Sequence, residues 1–324
     1  MENNFTVPED IRLIHNILGT SFSILGFFAN IVTLIAIFRF RLYRDIYIIF
    51  IINLAVINCL SSGFSLTYIA YQSFTVDSAM LHTTIVCRFT GYITYALLGT
   101  EIIAIIQISL NRYFLIVHLD LYRKIYTSNQ KVIAMLAGSW FIYFILALLP
   151  CTEVWGKLLY DPTRFICHPF LAQDSFTKFF NIFSISISVP PLVYCYIAII
   201  WKVVSTRRKV RPRRVSTVRP SKSQVTPPTK MPVTIITILT AFILLYVPFF
   251  LVELMDPSGQ KFDPKIPVIT VYVAWIHLVC HPIIYAVLNK QIQKALVKMF
   301  RCEKQTKQAT VFPRRSHTIS TIAT

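Results

Sequence analysis

Long apolar stretches without Asp, Glu, Lys or Arg alternate with short charged segments along this chain. A helix needs about 20 mostly apolar residues to cross the hydrocarbon core of a membrane, and six stretches are long enough. They are 13–38, 46–76, 132–152, 179–201, 231–252 and 266–289. A seventh stretch, 84–117, is interrupted only by Arg88, Glu101 and Arg112. The pattern predicts seven membrane-spanning helices in an all-α bundle.

The charged segments between the stretches set the predicted boundaries. The spans are expected at about 13–38, 46–71, 84–117, 132–152, 177–202, 231–255 and 266–289. Residues 1–12 lack the basic start of a cleaved signal peptide, so the first span is expected to be an uncleaved anchor. At 290–301, lysines alternate with apolar residues, which predicts an amphipathic helix on the membrane surface, followed by a tail at 302–324.

Composition excludes several classes of protein. Charged residues make up 14% of the 324 residues, whereas a soluble domain has about 25%, and apolar residues make up 55%. The net charge of +18 would suit a nucleic-acid binder, but such a protein would not be this apolar. We therefore expect neither a soluble enzyme nor a nucleic-acid partner.

The distribution of charge predicts the orientation. With the N-terminus outside, the inner segments hold 25 of the 32 Lys and Arg residues but only three acidic residues. Because cytoplasmic loops are enriched in Lys and Arg, this orientation is strongly favoured. It places the glycosylation acceptor Asn4 outside. It also places Cys87 and Cys167 on the oxidising side, where a disulfide would tie the second outer loop over the third span.

Several short motifs occur in order along the spans. They are Asn30, Asn53 to Asn58, Asn111-Arg112-Tyr113, Trp140 with Pro150, Phe242 with Tyr246 and Pro248, and His281-Pro282-Ile283-Ile284-Tyr285. In spacing and order they resemble the rhodopsin-like (class A) G protein-coupled receptors over about 13–302. Further residues resemble the branch that holds melatonin receptors and the trapped-in-endoderm and moody-like receptors. These are Ile116, His118, Tyr122, Tyr126, Cys195-Tyr196, Trp201 and Asp256-Pro257.

The resemblance implies a ligand pocket at the outer ends of the spans. Its expected lining is Thr94, Tyr95, Leu98, Tyr246, Phe249, Phe250, Glu253 and Trp275. Amine receptors carry an Asp where Thr94 stands, and opsins carry their retinal lysine where Trp275 stands, so neither ligand is expected. Melatonin receptors use an Asn where Pro150 stands. A lipid or another small, mostly apolar ligand, such as an indole, suits this lining. The alternative is that these aromatic residues only pack the bundle, and we expect about half of them to face the pocket.

The polar centre departs from the family. Receptors of this class bind sodium with an Asp where Asn58 stands, whereas here Glu101 supplies a carboxylate from the third span. His277 and His281 lie one helical turn apart and should face the same cavity. Three interpretations remain open: a hydrogen-bonded network, a sodium site moved to Glu101, or a switch operated by protons or zinc. No other cofactor or metal is expected.

The resemblance implies G protein coupling at the inner end, through Asn111, Arg112 and Tyr113 with Tyr196 and Tyr285. Asn111 cannot form the usual ion pair with Arg112. The second acidic partner that the family places at the start of the sixth span has no counterpart near Lys230. We therefore hypothesise that the receptor has basal activity without ligand. Pro190 and Pro191 lead us to expect an irregular fifth helix. The basic loop 202–230 is also a candidate contact for anionic lipids.

Modification sites are expected on the inner side. Cys302 is a candidate for palmitoylation. Phosphorylation by receptor kinases and other kinases, with arrestin recruitment, is predicted at Ser216, Ser316, Thr318, Ser320 and Thr321. Two alternatives to a plasma-membrane receptor remain: a transporter or proton-linked channel built around Glu101, His277 and His281, or a receptor-like protein that does not signal. The sequence leaves the ligand, the G protein subtype and the oligomeric state open.

Overall fold

Seven long helices run through the protein in a computed structural model that describes residues 8–74, 84–161, 165–169, 175–210, 231–256 and 261–301. We number them in chain order from the first to the seventh. They are Glu9–Arg39, Ile46–Phe74, Thr84–Val117, Asn129–Cys151, Ser175–Val210, Met231–Met255 and Lys265–Leu288. Within the described ranges, six are long and apolar enough to cross a membrane, and the sixth helix contains the shorter apolar segment Thr240–Met255.

The third helix is the centre of the bundle. It contacts the second, fourth, fifth and sixth helices, while the first helix contacts the second and the seventh. The second and fourth helices are joined where Trp140 Nε1 donates to Asn53 Oδ1 at 2.8 Å. We call the end of the bundle that carries Arg112 the inner end, and the opposite end the outer end.

Two helices contain a π-helical turn, at His15–Gly19 in the first and Ser61–Leu66 in the second. A π turn disturbs the regular backbone hydrogen bonding of a helix. Here the Ser62 carbonyl accepts hydrogen bonds from Ser23 Oγ at 2.9 Å and from Thr67 Oγ1 at 3.1 Å. Because Ser23 belongs to the first helix, the second π turn also joins the two helices.

The fifth and seventh helices differ in continuity. The fifth helix is a continuous α-helix through Pro190 and Pro191, so the expected irregularity is not an interruption of the helix. A proline φ is close to the helical value, so a helix can continue through it although hydrogen bonds are lost. The seventh helix does have a break, at Ile276, between Lys265–Trp275 and His277–Leu288.

Short elements close both ends of the bundle. At the inner end lie the helix Leu119–Ile125 and the amphipathic helix Lys290–Phe300, which buries Ile292 and packs on the first and seventh helices. At the outer end, strands Leu158–Asp161 and Ile166–Pro169 form an antiparallel hairpin. The predicted disulfide between Cys87 and Cys167 is confirmed, and it fixes this hairpin to the third helix.

Candidate functional site

One face of the third helix connects the two ends of the bundle. Thr94 lies near the outer end, where its Oγ1 donates to Ser65 Oγ of the second helix at 3.0 Å. Leu98 follows and packs against the main hydrophobic core and against a second cluster that contains Tyr95. Glu101 and Arg112, further along the helix, are 2% and 3% exposed. The candidate site therefore has an outer, a central and an inner part along a single helix.

Most of the predicted pocket residues lie in or against the main hydrophobic core. Tyr246 and Phe250 of the sixth helix are buried in this core, and Phe249 and Trp275 pack against it. Tyr95 lies elsewhere. Its ring meets that of Phe180 edge to face at 5.6 Å, in a second cluster between the third, fourth and fifth helices. Glu253, toward the outer end of the sixth helix, is buried.

The structure adds a contact at the outer end that the sequence did not predict. His15 of the first helix is buried, and its Nδ1 lies 2.8 Å from the hydroxyl of Tyr272 on the seventh helix. Phe165 of the outer loop lies edge to face on the same imidazole, with ring centroids 4.9 Å apart. The available signal was a histidine inside an apolar stretch, but nothing in the sequence identified its partners.

The central part is a buried carboxylate–imidazole pair. Glu101 Oε1 lies 2.7 Å from His277 Nε2, and the Tyr246 hydroxyl lies 3.3 Å from the same nitrogen. His277 Nδ1 contacts the Ala274 carbonyl beside the break in the seventh helix. Because a carbonyl can only accept, Nδ1 is the donor in this contact. The contact between Glu101 and His277 joins the third and seventh helices in the buried centre of the bundle.

The neighbouring histidine, His281, belongs to a separate hydrogen-bond network. Asn30 Nδ2 donates to the carbonyls of Gly26 and Leu278, at 2.8 and 2.9 Å, so its Oδ1 is directed at Asn58. Asn58 Nδ2 donates to that oxygen at 3.4 Å and also lies 3.3 Å from His281 Nδ1.

An amide nitrogen only donates, so His281 Nδ1 accepts from Asn58 Nδ2. The 4.0 Å separation between His281 Nδ1 and Glu101 Oε1 is therefore not a hydrogen bond. Glu101 is paired with His277, and His281 belongs to the network of Asn30 and Asn58.

Stacked rings extend this centre along the bundle. On the sixth helix, the Tyr246 ring stacks on Phe242 at 4.8 Å and on Phe250 at 6.1 Å. Tyr246 also stacks on His277 at 5.0 Å, and His277 is followed along the seventh helix by His281 at 5.4 Å. Tyr285 stacks on His281 at 6.3 Å. We call Phe250, Tyr246, His277, His281 and Tyr285 the ring series.

The inner part surrounds Arg112. Its guanidinium carbon lies 3.3 Å from the ring centroid of Tyr47, at the start of the second helix. Asn111 is fully buried. The Tyr113 hydroxyl lies 3.2 Å from that of Tyr194, whereas Tyr196 packs against the main core. Tyr47 was not predicted as part of the site.

Comparison with known proteins identifies the family. The family described as "7 transmembrane receptor (rhodopsin family)" matches residues 29–285. The chain belongs to the rhodopsin family of seven-transmembrane receptors. This confirms the predicted fold and resemblance. The receptor is a multi-pass membrane protein of a family that binds ligands and couples to G proteins, and the members of this family are not enzymes.

Three relatives lie in the predicted branch. Protein trapped in endoderm-1 of Drosophila melanogaster is 25% identical over 312 residues, covering 90% of this receptor and 79% of the relative. Melatonin receptor type 1B-B of Danio rerio is 26% identical, covering 87% of this receptor and 79% of the relative. The G-protein coupled receptor moody of Drosophila melanogaster is 22% identical, covering 86% of this receptor but 50% of the relative.

Some predictions are not tested by this structure. Among the described residues, no group of three or more His, Cys, Asp or Glu side chains could hold a metal ion, so the zinc interpretation has no support there. The sodium and proton interpretations stay predictions.

The predicted modification sites lie outside the described residues. These are Asn4, Ser216, Cys302, Ser316, Thr318, Ser320 and Thr321.

Proposed function

We propose that this receptor lies in the plasma membrane with its N-terminus outside, binds a small, mostly apolar ligand and activates a heterotrimeric G protein. The observation that carries the proposal is the ring series. It leads from the aromatic cluster around Phe250 to Tyr285, through consecutive buried rings of the sixth and seventh helices. A series of packed side chains between two sites can transmit a change if both sites bias its arrangement.

The chemistry of the outer part supports an apolar ligand. Leu98, Phe249, Phe250 and Trp275 supply apolar and aromatic surface. Thr94 stands where amine receptors carry their carboxylate, and its hydroxyl donates to Ser65. Some relatives are melatonin receptors by name, which keeps small indoles among the candidates beside lipids. Pro150, in place of the Asn of melatonin receptors, argues against melatonin itself.

The proposed mechanism is a population shift. Ligand contacts with Phe249 and Phe250 favour a different position of the sixth helix. Because Tyr246 lies on that helix and stacks on His277 of the seventh, such a movement changes the contact beside Glu101. The inner end then opens, and Arg112 becomes available to the G protein. The basic inner loops suit contacts with anionic lipids, and the tail suits receptor kinases and arrestin.

Replacing Arg112 with alanine should reduce G protein recruitment by at least about fivefold at equal surface expression, since the central cation of the inner part is lost. Recruitment of a panel of G proteins in living cells is the measurement, with lipids and small indoles as trial ligands. Arg39→Ala is the matched control, because Arg39 is an exposed arginine at the end of the first helix. Equal recruitment by all three receptors would contradict the proposal.

A transporter or proton-linked channel is the second candidate. The buried pair of Glu101 and His277, 2.7 Å apart, is the observation that favours it, since ionisable groups at membrane depth often mark ion pathways. It predicts a proton current that is lost in Glu101→Gln and unchanged in Arg112→Ala. Ligand binding without either current or recruitment would instead indicate a receptor-like protein that does not signal.

A further inference from the structure

Arg112 is packed against an aromatic ring of another helix. Its guanidinium carbon lies 3.3 Å from the ring centroid of Tyr47, and the two residues are 3% and 5% exposed. An arginine over the face of an aromatic ring is attracted by the negative charge density of that face, and more strongly when water is excluded. The contact therefore joins the inner ends of the second and third helices.

The ring of Tyr47 is a fixed platform. Asp45 caps the second helix, since its Oδ1 accepts from the Tyr47 backbone N–H at 2.9 Å. The Asp45 carbonyl accepts from Ile48 N at 3.0 Å, and Asp45 Oδ2 accepts from Gln291 Nε2 of the amphipathic helix at 3.4 Å. Tyr47 thus stands in the first turn of a capped helix that is also joined to the end of the bundle.

The sequence has no carboxylate at two positions where the family usually pairs this arginine. The residue before it is Asn111, which has no charge with which to pair the guanidinium. The segment that leads into the sixth helix reads Pro227-Pro228-Thr229-Lys230, which supplies no carboxylate. An aromatic face supplies the attraction that a carboxylate would otherwise provide.

We propose that Tyr47 is the positioning residue that holds Arg112 in the inactive state, in the role that carboxylates have in other members of the family. To contact a G protein, the guanidinium must leave the ring of Tyr47. Weakening the stack therefore raises the fraction of receptors whose inner end is open without ligand. The inference rests on the proposed function, because it assumes that Arg112 acts in coupling.

Replacing Tyr47 with leucine should raise basal G protein activation about threefold to tenfold, in line with the usual strength of a desolvated cation–π contact. Tyr47→Phe should stay within about twofold of the wild type, because it retains the ring face and loses only the hydroxyl. The measurement is ligand-independent G protein activation in cells, divided by the amount of tagged receptor at the surface. If basal activation in Tyr47→Phe stays near the wild-type level, the effect of Tyr47→Leu comes from the lost stack and not from a general loss of stability.

Phe50→Leu is the matched control. Phe50 lies on the same helix, is 1% exposed and contacts Tyr126 edge to face at 6.0 Å. The Phe50→Leu variant loses a comparable buried ring of the same helix but keeps the stack of Tyr47 on Arg112, so its basal activation should not rise. The proposal is overturned if Tyr47→Leu leaves basal activation unchanged. It is equally overturned if Tyr47→Phe or Phe50→Leu raises activation as much as Tyr47→Leu.

A second measurement separates this inference from the proposed function. Hydrogen exchange of purified receptor reports opening of the sixth helix, Met231–Met255, without any G protein. Faster exchange in Tyr47→Leu but not in Tyr47→Phe supports the positioning role, and it does so even if no G protein is recruited by any variant. In that case the proposed function fails alone. If exchange in Tyr47→Leu is unchanged although the receptor activates a G protein, the role of Tyr47 is overturned.

Discussion

Replacing Gly99 with valine should reduce the receptor at the cell surface by about tenfold or more, since overpacked cores can prevent folding altogether. A Cβ atom on Gly99 would lie 1.9 Å from Cδ1 and 2.3 Å from Cε1 of Tyr143. The ring of Tyr143 is buried and lies on the fourth helix, so it cannot swing into open space. The third and fourth helices would have to separate. Flow cytometry of a tagged receptor measures the result.

Gly138→Val is the matched control, because a Cβ placed on Gly138 in the fourth helix would meet no neighbouring side chain and no other helix within 4 Å. Both variants introduce the same β-branched side chain into a membrane helix, so the difference between them reports only the contact with Tyr143. Shortening that side chain, as Tyr143→Ala, should restore part of the surface expression of Gly99→Val. Equal surface levels for the two valine variants would show that this close approach is not required.

The seven-helix fold was predictable because a membrane restricts what an apolar segment can be. Backbone polar groups in hydrocarbon must bond within the segment, so each long uncharged run has to be a helix. The same argument does not predict local irregularities within a helix. The π turn at Ser61–Leu66 depends on Ser23 of another helix, and the break at Ile276 coincides with a contact of the His277 side chain. Neither contact has a signature in the local pattern.

Periodicity predicts the candidate site only where its residues share a helix. The spacing of Thr94, Leu98, Glu101 and Arg112 places them on one face of the third helix, and the four-residue interval predicted that His277 and His281 face one cavity. Tyr47 lies 65 residues from its partner Arg112, and no periodicity relates positions on different helices. The pairing of Glu101 with His277, rather than His281, also required distances. The proposed roles of these residues stay predictions.

Replacing Glu101 with glutamine should raise basal G protein activation by about tenfold or more. The Glu101–His277 contact of 2.7 Å joins the third and seventh helices in the buried centre of the bundle. Breaking a buried pair by changing one partner typically costs about 3–5 kcal/mol. If only about 1.4 kcal/mol of this falls on the inactive state alone, the ratio of open to closed receptor rises about tenfold. Ligand-independent activation at equal surface expression measures it.

His277→Gln provides the thermodynamic control. If the two side chains stabilise the inactive state through each other, the double variant should be little more active than either single one, because coupled residues are not additive. Simple addition of the two effects would indicate that each residue acts through other partners. Unchanged basal activation in both single variants would remove the pair from the proposed mechanism altogether.

The same variant separates the three interpretations of the polar centre. A hydrogen-bonded network predicts a change of basal activation in Glu101→Gln that is independent of sodium concentration and pH. A sodium site predicts that sodium lowers basal activation of the wild type and has no effect on the variant. A proton switch at Glu101 predicts that only the wild type responds to pH, because a glutamine amide does not titrate. If Glu101→Gln abolishes only the response to sodium or only the response to pH, the lost response identifies the ion that binds to the carboxylate.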